Sequence, residues 1–349
     1  MSMIGTLCDN VQSNDTAMLF SHSNREMMKK RIPNMVITVG QILVGVSGNA
    51  FVIHIYRKNS SLRSRLFYFI PWLALFDIHA IIAIGTFSIL QDIFSICFPS
   101  LFLCQSMWFG VIFCTSSGAL CLLLIAFQRY CYVFQKPVLT RKWHRLFIII
   151  SLHISVFIAI PVFFIVDLRT MSVGGVIREV CGDTLYEEKL IYKYSYLHSL
   201  FFLAFLLIVV ITILYVRIGL KTFKMLCPKE KQRHPSSFRK AGLKYTLMYV
   251  SVFVVYIVAY IPSNALSLLP DETRTKVYHA MDENNSKHIA LLVVQRMLIF
   301  SHVLNPLIIY LFHARFRREM GKYFSQCQIR RGQCCSCTEL LRFNRLSVI

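Results

Sequence analysis

Seven long apolar runs separate short polar segments, and they restrict the folds open to this chain. The runs are Val36–Tyr56, Leu66–Leu90, Ser106–Phe127, Leu146–Val166, Tyr196–Leu220, Leu243–Leu269 and Ile289–Phe312. A helix of about 20 apolar residues crosses the hydrocarbon core of a membrane, and each run reaches that length. A helix satisfies its own backbone hydrogen bonds in lipid, and the runs are too long for barrel strands. The sequence therefore predicts an all-α membrane protein, folded as a seven-transmembrane helix bundle.

The distribution of charge predicts how this bundle is oriented. If the C-terminus is placed in the cytosol, 26 of the 38 Lys and Arg residues lie on the inner side, together with three of the 17 acids. Basic residues gather in cytoplasmic loops, so we expect an extracellular N-terminus and a cytoplasmic C-terminus in the plasma membrane. Four basic residues before the first run oppose this orientation: Arg25, Lys29, Lys30 and Arg31.

We expect three parts along the chain. Residues 1–35 form an extracellular N-terminus, residues 36–312 form the transmembrane domain, and residues 313–349 form a cytoplasmic amphipathic helix and tail. Hydrophobic residues make up 56% of the chain and the mean hydropathy is +0.55, which is too high for a soluble domain. The whole chain has a net charge of +21, and the inner side alone, with 26 basic residues and three acids, has about +23; this favours anionic membrane lipids and cytosolic proteins as partners over nucleic acid.

Ionisable residues inside the apolar runs are the first functional candidates, because charges are costly in lipid. Asp77 is the only acid within the runs as bounded above, and it lies in the middle of the second run. Arg296 lies in the seventh run, and we expect its long side chain to reach outward to the polar surface. The alternative is that Arg296 faces the cavity and meets an anionic group of a ligand.

An ordered set of residues marks successive runs. The set comprises Gly48-Asn49, Leu73-Ala74 with Asp77, Arg129 at the end of the third run, Tyr215 with Ile218, Pro262, Asn305-Pro306 and Phe316. From Val36 to Cys337 the chain resembles the class A, rhodopsin-like G-protein-coupled receptors. This resemblance implies a receptor that binds an extracellular ligand and activates a heterotrimeric G protein. It implies no catalytic residues.

The resemblance also assigns an activation switch at the inner end of the bundle. Its members would be Gln128, Arg129, Tyr130, Tyr215, Tyr260, Pro262, Asn305 and Pro306. Three departures stand out: Gln128 replaces the usual acid, Tyr260 replaces the usual tryptophan, and Ile309 stands where a tyrosine is usual. Without the acid beside Arg129, one restraint on the resting state is lost, so we predict elevated ligand-independent signalling. The alternative is that Gln128 holds the arginine equally well by a hydrogen bond.

A polar core is expected around Asp77, with Asn49, His302 and Asn305 near it. By resemblance this is the family's sodium site, so a sodium ion at Asp77 is one interpretation. The other is a hydrogen-bonded cluster in which His302 donates to Asp77, because Gly118 stands where a ligating serine is usual. No other metal or cofactor is predicted, and Ile299 occupies the position where light receptors carry their retinal-binding lysine.

The outer side is expected to carry a disulfide and a hairpin. The resemblance pairs Cys104 with Cys181, while Cys8 and Cys97 form either a second bridge or two free thiols. Gly174-Gly175, flanked by β-branched residues, predicts a β-hairpin over residues 169–181. The Asn-X-Ser/Thr pattern predicts glycosylation at Asn14 and Asn284.

The ligand pocket implied by the family is mostly neutral. Its expected lining is Val111, Thr115, Tyr260, Ser263, Asn264, Gln295 and Ile299. Amine receptors carry an aspartate at the position of Val111, so an amine ligand is excluded. Acids lie above the pocket and favour a basic, neuropeptide-like peptide: Glu179, Asp183, Glu187, Glu188, Asp271, Glu272, Asp282 and Glu283. A lipid or another small molecule remains the alternative ligand.

The tail is expected to lie on the inner membrane surface. Phe316, Met320 and Phe324 recur every four residues with basic residues between them, which predicts an amphipathic helix. Four cysteines near its end are expected to be palmitoylated: Cys327, Cys334, Cys335 and Cys337. The terminus Ser347-Val348-Ile349 is typical of a PDZ ligand. Arrestin is a further partner implied by the family, although the tail has few hydroxyls.

Two other functions compete with a signalling receptor. A scavenger that binds ligand without activating a G protein is suggested by Gln128 and Ile309. A seven-span transporter or channel would need more ionisable residues along a pathway, or internal repeats.

Overall fold

The computed structural model describes residues 14–59, 67–94, 97–136, 140–173, 176–184, 187–226, 237–268 and 285–331. Its elements, in chain order, are α1 Asn14–Lys58, α2 Ile70–Ile93, α3 Leu101–Val133, α4 Arg141–Ala159, α5 Val162–Ile165, β1 Val166–Val173, β2 Val176–Asp183, α6 Glu187–Leu226, α7 Ser237–Leu268, α8 Asn285–Phe312 and α9 Ala314–Arg331. Within the described residues, most of each apolar run lies in a helix, as predicted.

Six spans of the described chain are long and apolar enough to cross a membrane on their own, from α1, α2, α3, α4 with α5, α6 and α7. The seventh is α8, which turns by 95° into α9. The predicted bundle with a short helix after its last span is therefore confirmed. We call the end that carries the β-hairpin the outer end, and the end at which α8 turns into α9 the inner end.

α3 occupies the centre of the bundle. It contacts α2, α4, α6 and α7, while α1 packs against α2 and α8. One buried apolar cluster fills the inner half and a second fills the outer half. α6 buries the smallest share of any span and exposes Phe201, Phe202 and Phe205. Such exposed apolar faces are what a helix bundle presents to lipid.

Proline affects these helices unequally. A proline inside an apolar run predicts a break in its helix, here at Pro161 in the fourth run and at Pro262 in the sixth. α4 does end at Ala159, just before Pro161. The prediction for Pro262 was wrong, because α7 continues through it, as α8 does through Pro306. A proline removes one backbone hydrogen bond, but packing between neighbouring helices keeps the helix continuous. α1 is also longer than its apolar run and begins at Asn14.

The predicted hairpin is present at the outer end. β1 and β2 pair antiparallel, with Val173 opposite Val176 next to the turn and Leu168 opposite Cys181. The backbone before α3 joins the hairpin, because the Phe98 N–H donates to the Glu179 carbonyl at 2.9 Å. The hairpin therefore lies against the outer end of α3.

Candidate functional site

At the inner end, Arg129 lies inside a group of tyrosine rings. Its side chain is 1% exposed. The guanidinium carbon lies 5.3 Å from the ring centroid of Tyr249, 5.6 Å from that of Tyr245 and 5.9 Å from that of Tyr132. A cation over an aromatic ring at this range is attracted by the ring's π electrons. Because Tyr245 and Tyr249 belong to α7, that helix covers the arginine.

Gln128, which replaces the usual acid, joins α3 to α4. Its amide nitrogen lies 3.2 Å from Nε2 of His144, and both side chains are buried. The His144 ring stacks on Tyr68 with centroids 4.9 Å apart and meets Phe69 edge-on at 5.1 Å. Gln128 therefore contacts His144 across the two helices, and the hydrogen bond between Gln128 and Arg129 stays a prediction.

Three other residues connected with the predicted switch belong to α3, α6 and α8, and one of them, Tyr215, interacts electrostatically with Arg129. Tyr215 of α6 is buried and packs at 6.0 Å from Phe253 of α7. Tyr130 stacks on Phe134 at 4.5 Å. Ile309 is buried, whereas Tyr310, which follows it, is exposed on the outside of α8. The late tyrosine therefore does not take the inward place of the usual one.

The polar core brings together the residues that the sequence selected. Nδ1 of His302 lies 2.7 Å from Oδ1 of Asp77, and Nδ2 of Asn305 lies 2.7 Å from Oδ2 of Asp77. Asn49 donates to the carbonyls of Gly45 at 2.9 Å and His302 at 3.2 Å. Asp77 is 1% exposed. Helices α1, α2 and α8 are thereby joined by hydrogen bonds in the middle of the bundle.

The residues around Asp77 do not fit a sodium ion. Hard cations take oxygen ligands, and each carboxylate oxygen already has a nitrogen donor at 2.7 Å. Gly118 supplies no side-chain oxygen, and a Cβ built there would lie 4.0 Å from Cε1 of His302. The adjoining cavity has about 10 Å³ of water-accessible space, about the room for one water molecule.

Tyr256 connects this cavity with the ligand pocket. It lines the cavity beside Asp77 and stacks on Tyr260 with ring centroids 4.0 Å apart. Of the pocket residues predicted from the family, Val111, Thr115 and Ile299 are buried and Tyr260 is half-buried. The side chains of Ser263, Asn264 and Gln295 lie outside the described residues.

Arg296 corrects two expectations. It does not reach outward to the surface; it is buried and bonds to Asn34, Ser88 and Asp92. Its Nη2 lies 3.4 Å from Oδ2 of Asp92, and Asn34 donates to the same oxygen at 2.5 Å. Asp77 is not the only acid of the spans either, because α2 continues to Ile93 and buries Asp92. The carboxylate attracts the guanidinium inward, since an unpaired buried charge would be costly.

The hairpin is fastened at its base. Cys104 and Cys181 form the disulfide expected from the resemblance. Cys97 is also disulfide-bonded, while Cys8, its suggested partner, lies outside the described residues. Buried Lys193 of α6 donates to the Thr184 carbonyl at 3.1 Å and lies 3.0 Å from Asp183. The base of the hairpin is therefore tied to both α3 and α6.

These contacts weaken the charge argument for a basic peptide. Asp183 forms ion pairs with Arg169 and Lys193, so its charge is already balanced. Glu179 is buried. Glu188 is exposed. Of the other acids in the predicted set, Asp271, Glu272, Asp282 and Glu283 lie outside the described residues, as does the side chain of Glu187.

At the turn between α8 and α9, His313 caps the following helix. Its Nδ1 accepts a hydrogen bond from the Phe316 N–H at 3.1 Å, in the position where Ser or Asp is usual. Burial lowers the pKa of His313 to about 4, and the positive charges of Arg315, Arg129 and Arg317 act in the same direction. The ring is therefore neutral at pH 7.

α9 has the amphipathic character that the sequence predicts. Phe316 is buried and Met320 packs with it against the inner cluster, whereas Arg315 and Arg318 are exposed. The helix continues past Cys327 to Arg331, so this cysteine does not end it. Cys334, Cys335, Cys337, Asn284 and the last three residues lie outside the described residues, so palmitoylation, glycosylation and PDZ binding stay predictions. Asn14 is the first residue of α1.

Two comparisons with known proteins complete the description. The sequence profile of the 7 transmembrane receptor (rhodopsin family) matches residues 48–310. A search of curated proteins found no match. The matched segment covers most of the chain and extends from α1 to α8. The chain therefore belongs to the rhodopsin family of seven-transmembrane receptors, whose members are receptors and not enzymes.

Proposed function

We propose that this receptor converts the binding of an extracellular ligand into activation of a heterotrimeric G protein in the cytosol. The observation that carries the proposal is the burial of Arg129 beneath Tyr245 and Tyr249 of α7. If α7 moved outward, the guanidinium would be uncovered at the inner end. A ligand favours such a movement only by binding the open state more tightly than the closed one.

The proposed orientation puts the hairpin outside the cell and α9 on the inner membrane surface. The charge asymmetry supports this, because most basic residues then face the cytosol. The disulfides near the hairpin support it as well, since disulfides persist outside the cell and are rare in the cytosol. The exposed basic residues of α9 would then face anionic lipid headgroups.

We propose a peptide as the ligand, with a small molecule as the alternative. The hairpin supports a peptide, because its base is fixed to α3 and α6 and a peptide could contact its strands from the outer side. The buried pocket residues Val111, Thr115 and Ile299 are uncharged, so we expect the part of the ligand that enters the bundle to be largely apolar.

We further propose that Asp77 is held by His302 and Asn305 without a sodium ion. A carboxylate can only accept hydrogen bonds, so His302 would donate through Nδ1. Its Nε2 is buried and, within the described residues, has no hydrogen-bond partner. A water molecule in the adjoining cavity could donate to it, since buried waters commonly satisfy such atoms.

A G-protein dissociation assay tests the proposed function. The receptor is expressed with each Gα class in turn, and a peptide library is added from outside. We expect at least one Gα class to dissociate above the level of cells without receptor, and Arg129→Ala to abolish this signal. Peptide binding with no dissociation for any Gα class would instead favour a scavenger. Epitope tags at both ends, read on intact cells, test the orientation.

A further inference from the structure

Tyr245 of α7 contacts side chains from three other parts of the bundle. Its ring lies 5.6 Å from the guanidinium carbon of Arg129 on α3. It meets Phe67, which precedes α2, at 5.1 Å and His313, which follows α8, at 4.9 Å. Phe67 and His313 also contact each other, with ring centroids 4.6 Å apart. We call Phe67, Tyr245 and His313 the aromatic clamp.

Two members of the clamp, Phe67 and His313, are held in place by contacts other than those with Tyr245. Phe67 is buried, and His313 is held by its hydrogen bond to the backbone of α9. Tyr56 of α1 lies behind it, with its ring 6.0 Å from that of His313. Because Phe67 and His313 are fixed in this way, an outward movement of α7 would have to separate Tyr245 from both rings and from Arg129.

We propose that Tyr245 is a positioning residue that keeps α7 closed over Arg129, and that its ring rather than its hydroxyl does so. This inference rests on the proposed function, because it concerns the helix whose movement would uncover the arginine. All three contacts described for Tyr245 are made by its ring. Phenylalanine keeps an aromatic face for both the cation and the neighbouring rings, whereas leucine does not.

The test measures the position of α7 directly. Noncanonical spin-labelled amino acids replace the exposed residues Arg141 of α4 and Lys244 of α7, and the receptor is studied in nanodiscs without ligand or G protein. We expect Tyr245→Leu to move the distance distribution towards longer values. Tyr245→Phe should resemble the wild type. Leu247→Ala changes the lipid-exposed side of the same helix and serves as the matched control.

Equal distributions for Tyr245→Leu and the wild type would overturn the inference, as would a shift with Tyr245→Phe as large as that with leucine. If the leucine variant does not reach the membrane, His313→Asn replaces it. Asparagine keeps the helix cap and removes one ring of the clamp, so a smaller shift in the same direction is expected, and no shift would refute the clamp.

G-protein dissociation in cells separates this inference from the proposed function. We expect Tyr245→Leu to raise ligand-independent dissociation several-fold, with Tyr245→Phe at the wild-type level. If the leucine variant opens α7 in nanodiscs and no Gα class responds in cells, the clamp stands and the proposed G-protein coupling fails. If dissociation rises while α7 stays closed, the coupling stands and the clamp fails.

Discussion

The guanidinium of Arg296 lies 3.4 Å from the carboxylate of Asp92, and this ion pair joins two helices inside the outer half of the bundle. Arg31 of α1 lies 3.3 Å from the other oxygen of the same carboxylate. The carboxylate of Asp92 therefore forms ion pairs with two arginines and connects α1, α2 and α8.

We expect removal of both partners to destabilise the receptor by less than the sum of the two single removals. Asp92→Asn leaves Arg296 buried without its counter-charge, which costs about 3 kcal/mol for a buried pair. Asp92→Asn with Arg296→Met should cost less than the sum of the two single changes. Thermal unfolding in nanodiscs measures the loss of stability in each variant.

The control is Lys189→Met, which breaks the exposed ion pair with Asp167 and should cost under about 1 kcal/mol. Strict additivity of the two buried changes would show that they do not interact.

A carboxylate restored beside Arg129 should lower ligand-independent signalling. In Gln128→Glu, the new charge lies next to the arginine and favours the state in which the arginine is buried, by about 1 kcal/mol. Basal G-protein dissociation should fall about five-fold, since 1.4 kcal/mol corresponds to ten-fold. Gln135→Glu adds the same charge at an exposed position and is the control. Equal basal activity in Gln128→Glu and the wild type would mean that His144 already supplies the restraint.

Sodium should not stabilise the wild-type receptor specifically. Its apparent melting temperature in NaCl should equal that in choline chloride at the same ionic strength, because both oxygens of Asp77 have donors. His302→Ser combined with Gly118→Ser removes one donor and adds two oxygens, so a sodium-dependent rise in melting temperature is expected. Asp77→Asn in that background should remove the rise. A saturable sodium effect on the wild type would contradict the proposed polar core.

Acidification should destabilise the receptor through His313. The titratable and charged groups around its ring are Tyr56, Tyr245, Arg129, Arg315 and Arg317. The folded pKa of His313 is about 4 and the unfolded value is about 6.5, so the unfolded chain binds a proton first as the pH falls. This contribution is complete above pH 6.5 and is lost towards pH 4, by up to roughly 3 kcal/mol.

His313→Asn isolates that contribution, since asparagine caps the helix without titrating. Unfolding temperatures measured at pH 7.5 and pH 5 should therefore differ less for His313→Asn than for the wild type. A pH dependence that is the same in both proteins would show that other groups account for it.

The helices and the hairpin could be predicted from the sequence because both are local patterns. Apolar length predicts the spans, and the Gly174-Gly175 pair in the sequence predicts a hairpin. The ion pair of Arg296 could not be predicted in this way, because Asp92 and Arg296 are 204 residues apart. The apolar run also ends at Leu90, which would leave Asp92 outside the span, whereas α2 continues to Ile93.

The polar core was predicted from the resemblance, and its members do meet. The tyrosines over Arg129 were missed, although the sequence carries a signal for them. Tyr245 and Tyr249 are four residues apart, which places them on one face of a helix at the inner end of the sixth run. Their partner Arg129 lies on another helix, and its distance from that face depends on how the helices pack.

The arrangement around Tyr245 has a consequence for how the energy of opening is distributed. One ring touches groups from three other parts of the bundle, so its withdrawal breaks contacts with all three of them. A single side chain therefore contributes to the energy difference between the closed and open states at three places. A substitution at this one position would change how much of the receptor is open before any ligand binds.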